Sequence, residues 1–235
     1  MKKIVILIVA LVFAQHMSAQ LFTKEKVQNL QNFDKPRFSW GYILGFNSYD
    51  FNFDYTSDFL DEDIEVKNSV GFSVGLLGNM RINDYLDLRL EPMVTFTRRD
   101  LTFSNPLFTS EFETFREVRS TYVHIPLLLK VSTKRINNIK PFIIGGVSTS
   151  LNLSSNEDNP DDNSVGEFRM KTNTNYYEIG FGIDLYLYYF KFTPSIRGVF
   201  AMTDELVRDN DPNSPYTSTI DKMSTRGIFI NFTFQ

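Results

Sequence analysis

The chain contains eight segments in which apolar and polar residues alternate with the two-residue period of a β-strand. In the first segment, bulky residues from Phe38 to Phe46 share one face, and small or polar residues fill most intervening positions. The pattern recurs in seven further segments: 72–80, 85–97, 122–131, 143–153, 176–187, 191–202 and 227–234. The alternation therefore predicts an all-β chain of eight strands.

The connections between these segments alternate between long and short along the chain. The short ones, Arg81 to Asp84, Ser132 to Asn138 and Tyr189 to Lys191, would all lie at one end of an antiparallel up-and-down barrel. Transmembrane barrels have this asymmetry, with an apolar outer face and a polar interior. We therefore expect an eight-stranded antiparallel transmembrane β-barrel of the outer-membrane type. A soluble ligand-binding barrel, which has the opposite faces, is the alternative.

The first residues have the pattern of a secretion signal. Lys2 and Lys3 precede an apolar run from Ile4 to Ala14, and Ser18-Ala19 offers small residues for cleavage. A retained membrane anchor would need roughly 20 apolar residues, about twice the run present. The predicted organisation is a cleaved signal peptide at 1–19, a short periplasmic segment at 20–37 and the barrel domain at 38–235.

Composition narrows the classes of function. The absence of cysteine excludes lipidation at cysteine, disulfides and thiolate metal sites. A net charge of -4 leaves no basic stripe, so nucleic acid is not a predicted partner. The 23 Phe and 11 Tyr residues fit the aromatic girdles of a barrel at the two membrane interfaces. Outer-membrane lipid is thus the first expected partner.

Charged residues occupy the predicted interior face. An eight-stranded barrel is just wide enough to be filled by side chains, so we expect these charges to pair with one another. A proton or ion path is the alternative. The set comprises Asp87, Arg89, Glu91, His124, Lys130, Glu178, Asp184, Lys191 and Arg197.

Pro126 lies within the fourth predicted strand. Because proline lacks the N–H group that a strand ladder uses, we expect a local bulge or bend near it.

The long connections are acidic. They are expected to form surface loops that bind a partner protein or remain solvated; calcium binding is a further alternative, although the spacing is not that of an EF-hand. The candidate residues are Asp58, Asp61, Glu62, Asp63, Asp158, Asp161 and Asp162. We assign Asp50, Asp54 and Glu65 to the first of these loops, and Asp204, Glu205, Asp209 and Asp211 to the last.

Catalytic motifs are scarce. His124 is the single histidine after the signal, and no Gly-rich phosphate loop is present. Ser73 of the one GxSxG string, Gly71 to Gly75, lies in a predicted strand and not at the strand-to-helix turn of a nucleophile elbow. The prediction is a protein that is not an enzyme, with no cofactor and no small-molecule substrate. A lipid-modifying barrel enzyme would require His124 beside a nucleophilic serine at the outer rim.

The string NLQNFDKPRFSWGYILGFNSYDF, from Asn29 to Phe51, is the most distinctive in the chain. It resembles the start of the barrel in the PorT family, also called SprT, outer-membrane β-barrel proteins of the Bacteroidetes. The stretch from Tyr122 to Leu127 looks like a strand motif common in these barrels. Chain length and strand count extend the resemblance over nearly the whole chain, although Gln235 follows Phe234 where such barrels often end on an aromatic residue.

The resemblance implies a role in the type IX secretion system, which exports proteins across the outer membrane and supports gliding motility in some species. Secretion-system or other outer-membrane proteins would then be partners. Asn32, Phe33, Asp34 and Trp40 match the family's motif and form a candidate periplasmic docking patch. The resemblance implies no catalytic residues. A structural or adhesin-like barrel that uses its acidic outer loops is the main alternative.

Overall fold

A computed structural model describes residues 27–56, 64–104, 108, 110–159 and 168–235. It contains one short helix, α1 (Glu111–Thr114), and ten strands. The strands are β1 (Phe38–Tyr55), β2 (Ile64–Asn68), β3 (Val70–Arg81), β4 (Leu86–Leu90), β5 (Met93–Phe103), β6 (Phe115–Ser132), β7 (Ile139–Asn152), β8 (Asn173–Tyr186), β9 (Lys191–Ala201) and β10 (Ile220–Phe234). The predicted signal peptide lies outside the described residues.

The strands close into one antiparallel barrel. β6 to β10 pair in chain order, β3 pairs with β4 and β5, and these two pair with β6. β1 pairs with both β10 and β3, which closes the sheet. β2 and β3 are successive parts of one barrel strand, as are β4 and β5, so ten strand segments make eight barrel strands. This architecture confirms the predicted all-β fold. Beyond the β1–β3 pairing, which ends at Ser48 and Val70, β2 pairs with β5 alone among the described strands.

The two ends of the barrel differ as predicted. Residues 82–85, 133–138 and 187–190 form the short connections at one end, which we call the short-turn end. The strand ends that the longer connections join, at Tyr55, Ile64, Phe103, Phe115, Asn152, Asn173, Ala201 and Ile220, lie at the other, the long-loop end. Among the described residues, no helix is long and apolar enough to cross a membrane.

Over most of the barrel's height the outward side chains are apolar. Trp40 and Ile179 are 75% and 64% exposed, whereas the interior holds buried charged side chains such as Glu178 and Arg197. We call this outward surface the apolar band. It includes Phe38, Tyr42, Phe46, Phe72, Leu76, Phe96, Leu127, Ile143, Ile179, Ile196, Ile228 and Ile230. Apolar side chains outside and charges inside are the arrangement of a lipid-facing barrel.

Toward the long-loop end the two faces exchange their chemistry. The strand parts at 50–55, 64–68, 98–103, 115–120 and 220–226, which we call the extension, carry charges outside. Inside the extension lies an apolar cluster that includes Phe51, Leu101, Phe103 and Met223. This is the arrangement of a barrel surrounded by water. Asp50, Asp54 and Glu65 belong to these strands, so their assignment to a loop was wrong.

In the barrel strand formed by β2 and β3, a bulge accompanies the change from an apolar inner face to an apolar outer face. The pairing register with β5 shifts by one residue between β2 and β3, at Ser69. Val66 therefore packs inward against the apolar cluster, whereas Val70, four residues later, faces outward and is 76% exposed. A bulge inserts one unpaired residue and re-aims the side chains that follow.

The bulge predicted at Pro126 is absent. β6 runs unbroken from Phe115 to Ser132 and keeps one register with each neighbour. The interruption falls instead on the opposite strand, between β4 and β5. There the backbone N–H of Glu91 donates to the Pro126 carbonyl at 3.1 Å, but proline has no N–H to return. The missing bond interrupts the ladder without bending β6.

Candidate functional site in the barrel interior

Five buried charged side chains form a continuous series across the middle of the barrel. Arg89 Nη2 lies 2.8 Å from Glu91 Oε1, and Glu91 Oε2 accepts a 2.8 Å hydrogen bond from Arg197. Arg197 Nε lies 3.0 Å from Glu178 Oε2 as a close ion pair without hydrogen-bond alignment. Glu178 Oε1 in turn lies 2.8 Å from His124 Nε2. Each acid therefore contacts two partners.

His124 is enclosed on all sides. Its ring lies parallel to that of Phe229, at a centroid distance of 5.8 Å, and meets the Tyr176 ring at its edge. The side chain is fully buried, facing the interior. A lipid on the outer surface therefore has no access to the imidazole. The contacts make His124 a structural partner of Glu178.

A second charged group lies nearer the short-turn end. Lys130 Nζ donates to Asp184 at 2.5 Å, and the Thr193 hydroxyl donates to the other carboxylate oxygen at 2.8 Å. Lys191 lies 4.8 Å above the Phe33 ring. Asp87 accepts a long hydrogen bond of 3.4 Å from Asn79. All nine charged residues of the predicted interior set are thus buried inside the barrel.

Five further buried charged residues of the described chain escaped the sequence prediction: Arg99, Arg116, Lys140, Arg169 and Glu205. Lys140 is the cross-strand neighbour of Asp184. Arg99 is fully buried, donates to Tyr122 Oη at 2.8 Å and lies 3.9 Å from the centre of the Phe51 ring. Glu205 accepts two hydrogen bonds from Thr225. For Arg99 a signal existed, because it continues the odd-numbered inward series of Arg89, Glu91, Thr95 and Thr97.

Two neighbouring acids at the long-loop end have opposite pKa shifts. Burial raises the pKa of the Glu205 carboxyl above its ordinary value, although the hydrogen bonds from Thr225 act in the opposite direction. Burial also tends to raise the pKa of Asp204, but the backbone N–H groups of Met223 and Leu206 donate to it and hold the net value below the ordinary one. Asp204 therefore stays charged where Glu205 more readily takes a proton.

The N-terminal segment folds across the short-turn end of the barrel. Asn29 donates from its backbone N–H to Asn138, and the guanidinium of Arg135 donates to the Asn29 carbonyl. The Tyr186 hydroxyl donates to Asp34 at 2.6 Å, and its ring meets the Phe33 ring edge-on at 6.4 Å. These contacts attach the segment to the β6–β7 connection and to the end of β8.

The four residues of the candidate docking patch therefore separate into three places. Phe33 and Asp34 pack on Tyr186 at the barrel mouth. Asn32 is exposed on the surface of the segment. Trp40 lies on β1 and faces outward in the apolar band. Asn32 is thus the member of the set that a partner at the short-turn end can reach.

The acidic loops are described only in part. Asp158 is exposed in the β7–β8 connection. Asp209, in the last loop, forms an ion pair of 3.1 Å with the buried Arg169. Within the described residues, no three His, Asp or Glu side chains are grouped as metal ligands. The other loop candidates, Asp58, Asp61, Glu62, Asp63, Asp161 and Asp162, lie outside the described residues.

The match to a protein-family model agrees with the barrel architecture. Residues 13–207 match the family described as outer membrane protein beta-barrel domain, which covers most of the chain. No curated protein matches the sequence.

Similar solved structures include the outer membrane protein OprG from Pseudomonas aeruginosa. It is 14% identical, with a TM-score of 0.47 over 83% of this chain and 94% of that one. Neisserial surface protein A is 12% identical, with a TM-score of 0.40 over 83% and 97%. The attachment invasion locus protein Ail of Yersinia pestis is 12% identical, with a TM-score of 0.38 over 85% and 99%.

Proposed function

The chain belongs to the outer membrane protein beta-barrel domain family, and we propose that this outer-membrane protein is an accessory or assembly component of protein secretion. It would act by binding other proteins. The main support is the string from Asn29 to Phe51, which resembles the start of the barrel in the PorT family of the type IX secretion system. Gliding motility would depend on the protein in species that couple the two processes.

The filled interior favours binding over conduction. The series from Arg89 to His124 crosses the barrel, and apolar side chains fill the space above it. Because short turns of outer-membrane barrels face the periplasm, the N-terminal segment would lie at the periplasmic mouth. There it presents Asn32 and Lys35 to solvent, while Asp34 stays attached to Tyr186.

The proposal is tested by deleting the gene and measuring secreted cargo in the culture medium. We expect secretion to be lost and to return with the wild-type gene. An Asn32→Arg variant should restore it poorly, because a bulky cation replaces an exposed polar side chain at the proposed contact. Asp158→Arg, on the opposite end, is the matched control and should restore secretion fully. Heat-modifiable mobility on gels would show that both variants form the barrel.

An adhesin-like barrel is the second candidate. The observation that favours it is the extension, which raises a rigid charged surface above the apolar band. Normal secretion in the deletion strain, with reduced attachment to surfaces, would reject the secretion role in favour of this one. If Asp158→Arg reduced secretion and Asn32→Arg did not, the binding surface would lie in the outer loops and not at the short-turn end.

A further inference from the structure

Two arginines face each other on the outside of the barrel at the border of the apolar band. Arg98 of β5 and Arg119 of β6 are direct cross-strand partners, with side chains 45% and 73% exposed. Like charges in this position repel each other. The next outward pair, Asp100 and Glu117, lies farther from the band and supplies the counter-charges. The two cations are therefore the charges nearest the membrane on these strands.

A hollow opens beneath these arginines. It has a volume of about 540 Å³, and its membrane side is lined by Phe46, Phe72 and Phe96. Its outer side is lined by Arg98 and Arg119. The site thus combines an aromatic floor at the level of the lipid tails with two guanidinium groups at the level of the headgroups.

The opposite side of Arg119 borders a second hollow of different character. It measures about 410 Å³ and is lined by polar side chains, among them Glu117, Ser154 and Asn156. Arg119 therefore stands between an apolar and a polar hollow. A ligand that spans both would need a hydrocarbon part, an anionic group and a part rich in hydroxyl groups, in that order.

We propose that this surface binds a phosphorylated glycolipid of the outer leaflet. The acyl chain lies on the phenylalanine floor, the phosphate accepts hydrogen bonds from Arg98 and Arg119, and the sugar occupies the polar hollow. Guanidinium groups match phosphate oxygens in geometry and charge. Arg98 pairs with Asp100 and Glu117, and Arg119 pairs with Glu117. Both guanidinium groups are exposed to solvent, where such ion pairs contribute little, so a phosphate can compete with the two carboxylates.

The test measures binding of diphosphoryl lipid A to the purified full-length protein in a neutral detergent by native mass spectrometry. Lipid A from which both phosphates have been removed is the matched ligand control. We expect the phosphorylated form to bind at least tenfold more tightly. The double substitution Arg98→Gln with Arg119→Gln should remove this preference, and the Arg-to-Lys pair should retain most of it.

Arg226→Gln is the matched protein control. Arg226 is also exposed on the extension, but it lies on β10 and pairs with Asp50 of β1. β10 and β3 flank opposite edges of β1, so Arg226 is not part of the hollow. Its variant should bind like the wild type. Equal binding of diphosphoryl and dephosphorylated lipid A would show that the phosphate is not recognised and would overturn the proposal. If Arg226→Gln lost as much of the preference for phosphorylated lipid A as the double variant, the arginines would act only through non-specific charge attraction, and the proposal would be overturned. Heat-modifiable mobility would show that each variant is folded.

Discussion

At the scale of single residues, the interior depends on buried charges that each have a partner. Asp184 is the clearest case, because it accepts from Lys130 and Thr193 and is almost wholly buried. Asp50 has a comparable ion pair of 2.7 Å with Arg226, but both side chains are partly exposed to solvent. Removing one member of a buried pair leaves an uncompensated charge, whereas an exposed pair loses little.

We therefore predict that Asp184→Asn lowers the free energy of unfolding by about 3–5 kcal/mol, since Lys130 would stay buried without its carboxylate. Asp50→Asn, the same chemical change in an exposed pair, should cost at most about 1 kcal/mol. Urea denaturation of the refolded protein in lipid vesicles measures both. Equal effects of the two substitutions would contradict a dry, closely paired interior.

At the scale of elements, much of each strand could be predicted and its outer end could not. The alternation identified Phe46 as outward and Asn47 as inward, and the structure confirms both. It continues through Tyr49, Asp50 and Phe51, but with the apolar residues now inside. Because apolar residues were expected to face outward along the whole strand, Asp50 was assigned to a loop. The bulge at Ser69 leaves no mark in the residue types.

Contacts between side chains across the interior could not be predicted from the sequence either. Periodicity placed Glu91, Glu178 and Arg197 on the inner face, but it carries no information on which side chains meet. The pairing of Arg197 with Glu91 joins residues 106 positions apart on strands that are not neighbours. Such partners follow from barrel closure and strand register, which set the relative height of each side chain.

The close approach of β7 to β6 gives a second prediction. A Cβ atom at Gly146 would lie 2.2 Å from the Leu127 carbonyl oxygen, whereas one at Gly145 would have its nearest contact at 3.4 Å. Gly146→Ala should therefore lower the free energy of unfolding by about 1–3 kcal/mol through overpacking against backbone. Gly145→Ala should be neutral or stabilising by up to about 1 kcal/mol. Thermal denaturation of both in one detergent would decide, and equal losses would refute the argument.

At the scale of the whole molecule, the N-terminal segment and the barrel form one unit at the short-turn end. Arg135 connects them, because its guanidinium donates to the carbonyls of Asn29 and Leu30 and lies 3.7 Å from the centre of the Tyr186 ring. Lys134, its neighbour, is exposed. The segment is thus held by Arg135 and Asn138 of the β6–β7 connection and by Tyr186 of β8.

This arrangement predicts a local effect of Arg135→Gln. The loss of charge-assisted hydrogen bonds, worth about 1.5–3 kcal/mol, should accelerate amide hydrogen exchange in residues 27–37 by about tenfold or more. Exchange in the barrel strands should be unchanged. Lys134→Gln is the matched control and should leave the segment as protected as in the wild type. Faster exchange throughout the barrel would show that Arg135 supports the fold as a whole.

The exchange of faces between the apolar band and the extension has a mechanical consequence. If the barrel moved by two residues along its strands, about 7 Å, toward the short-turn side, Arg98 and Arg119 would enter hydrocarbon and Phe38 and Trp40 would leave it. Both effects are unfavourable, so the barrel has one preferred depth in the membrane. The height of the extension above the hydrocarbon is then a fixed dimension of the molecule.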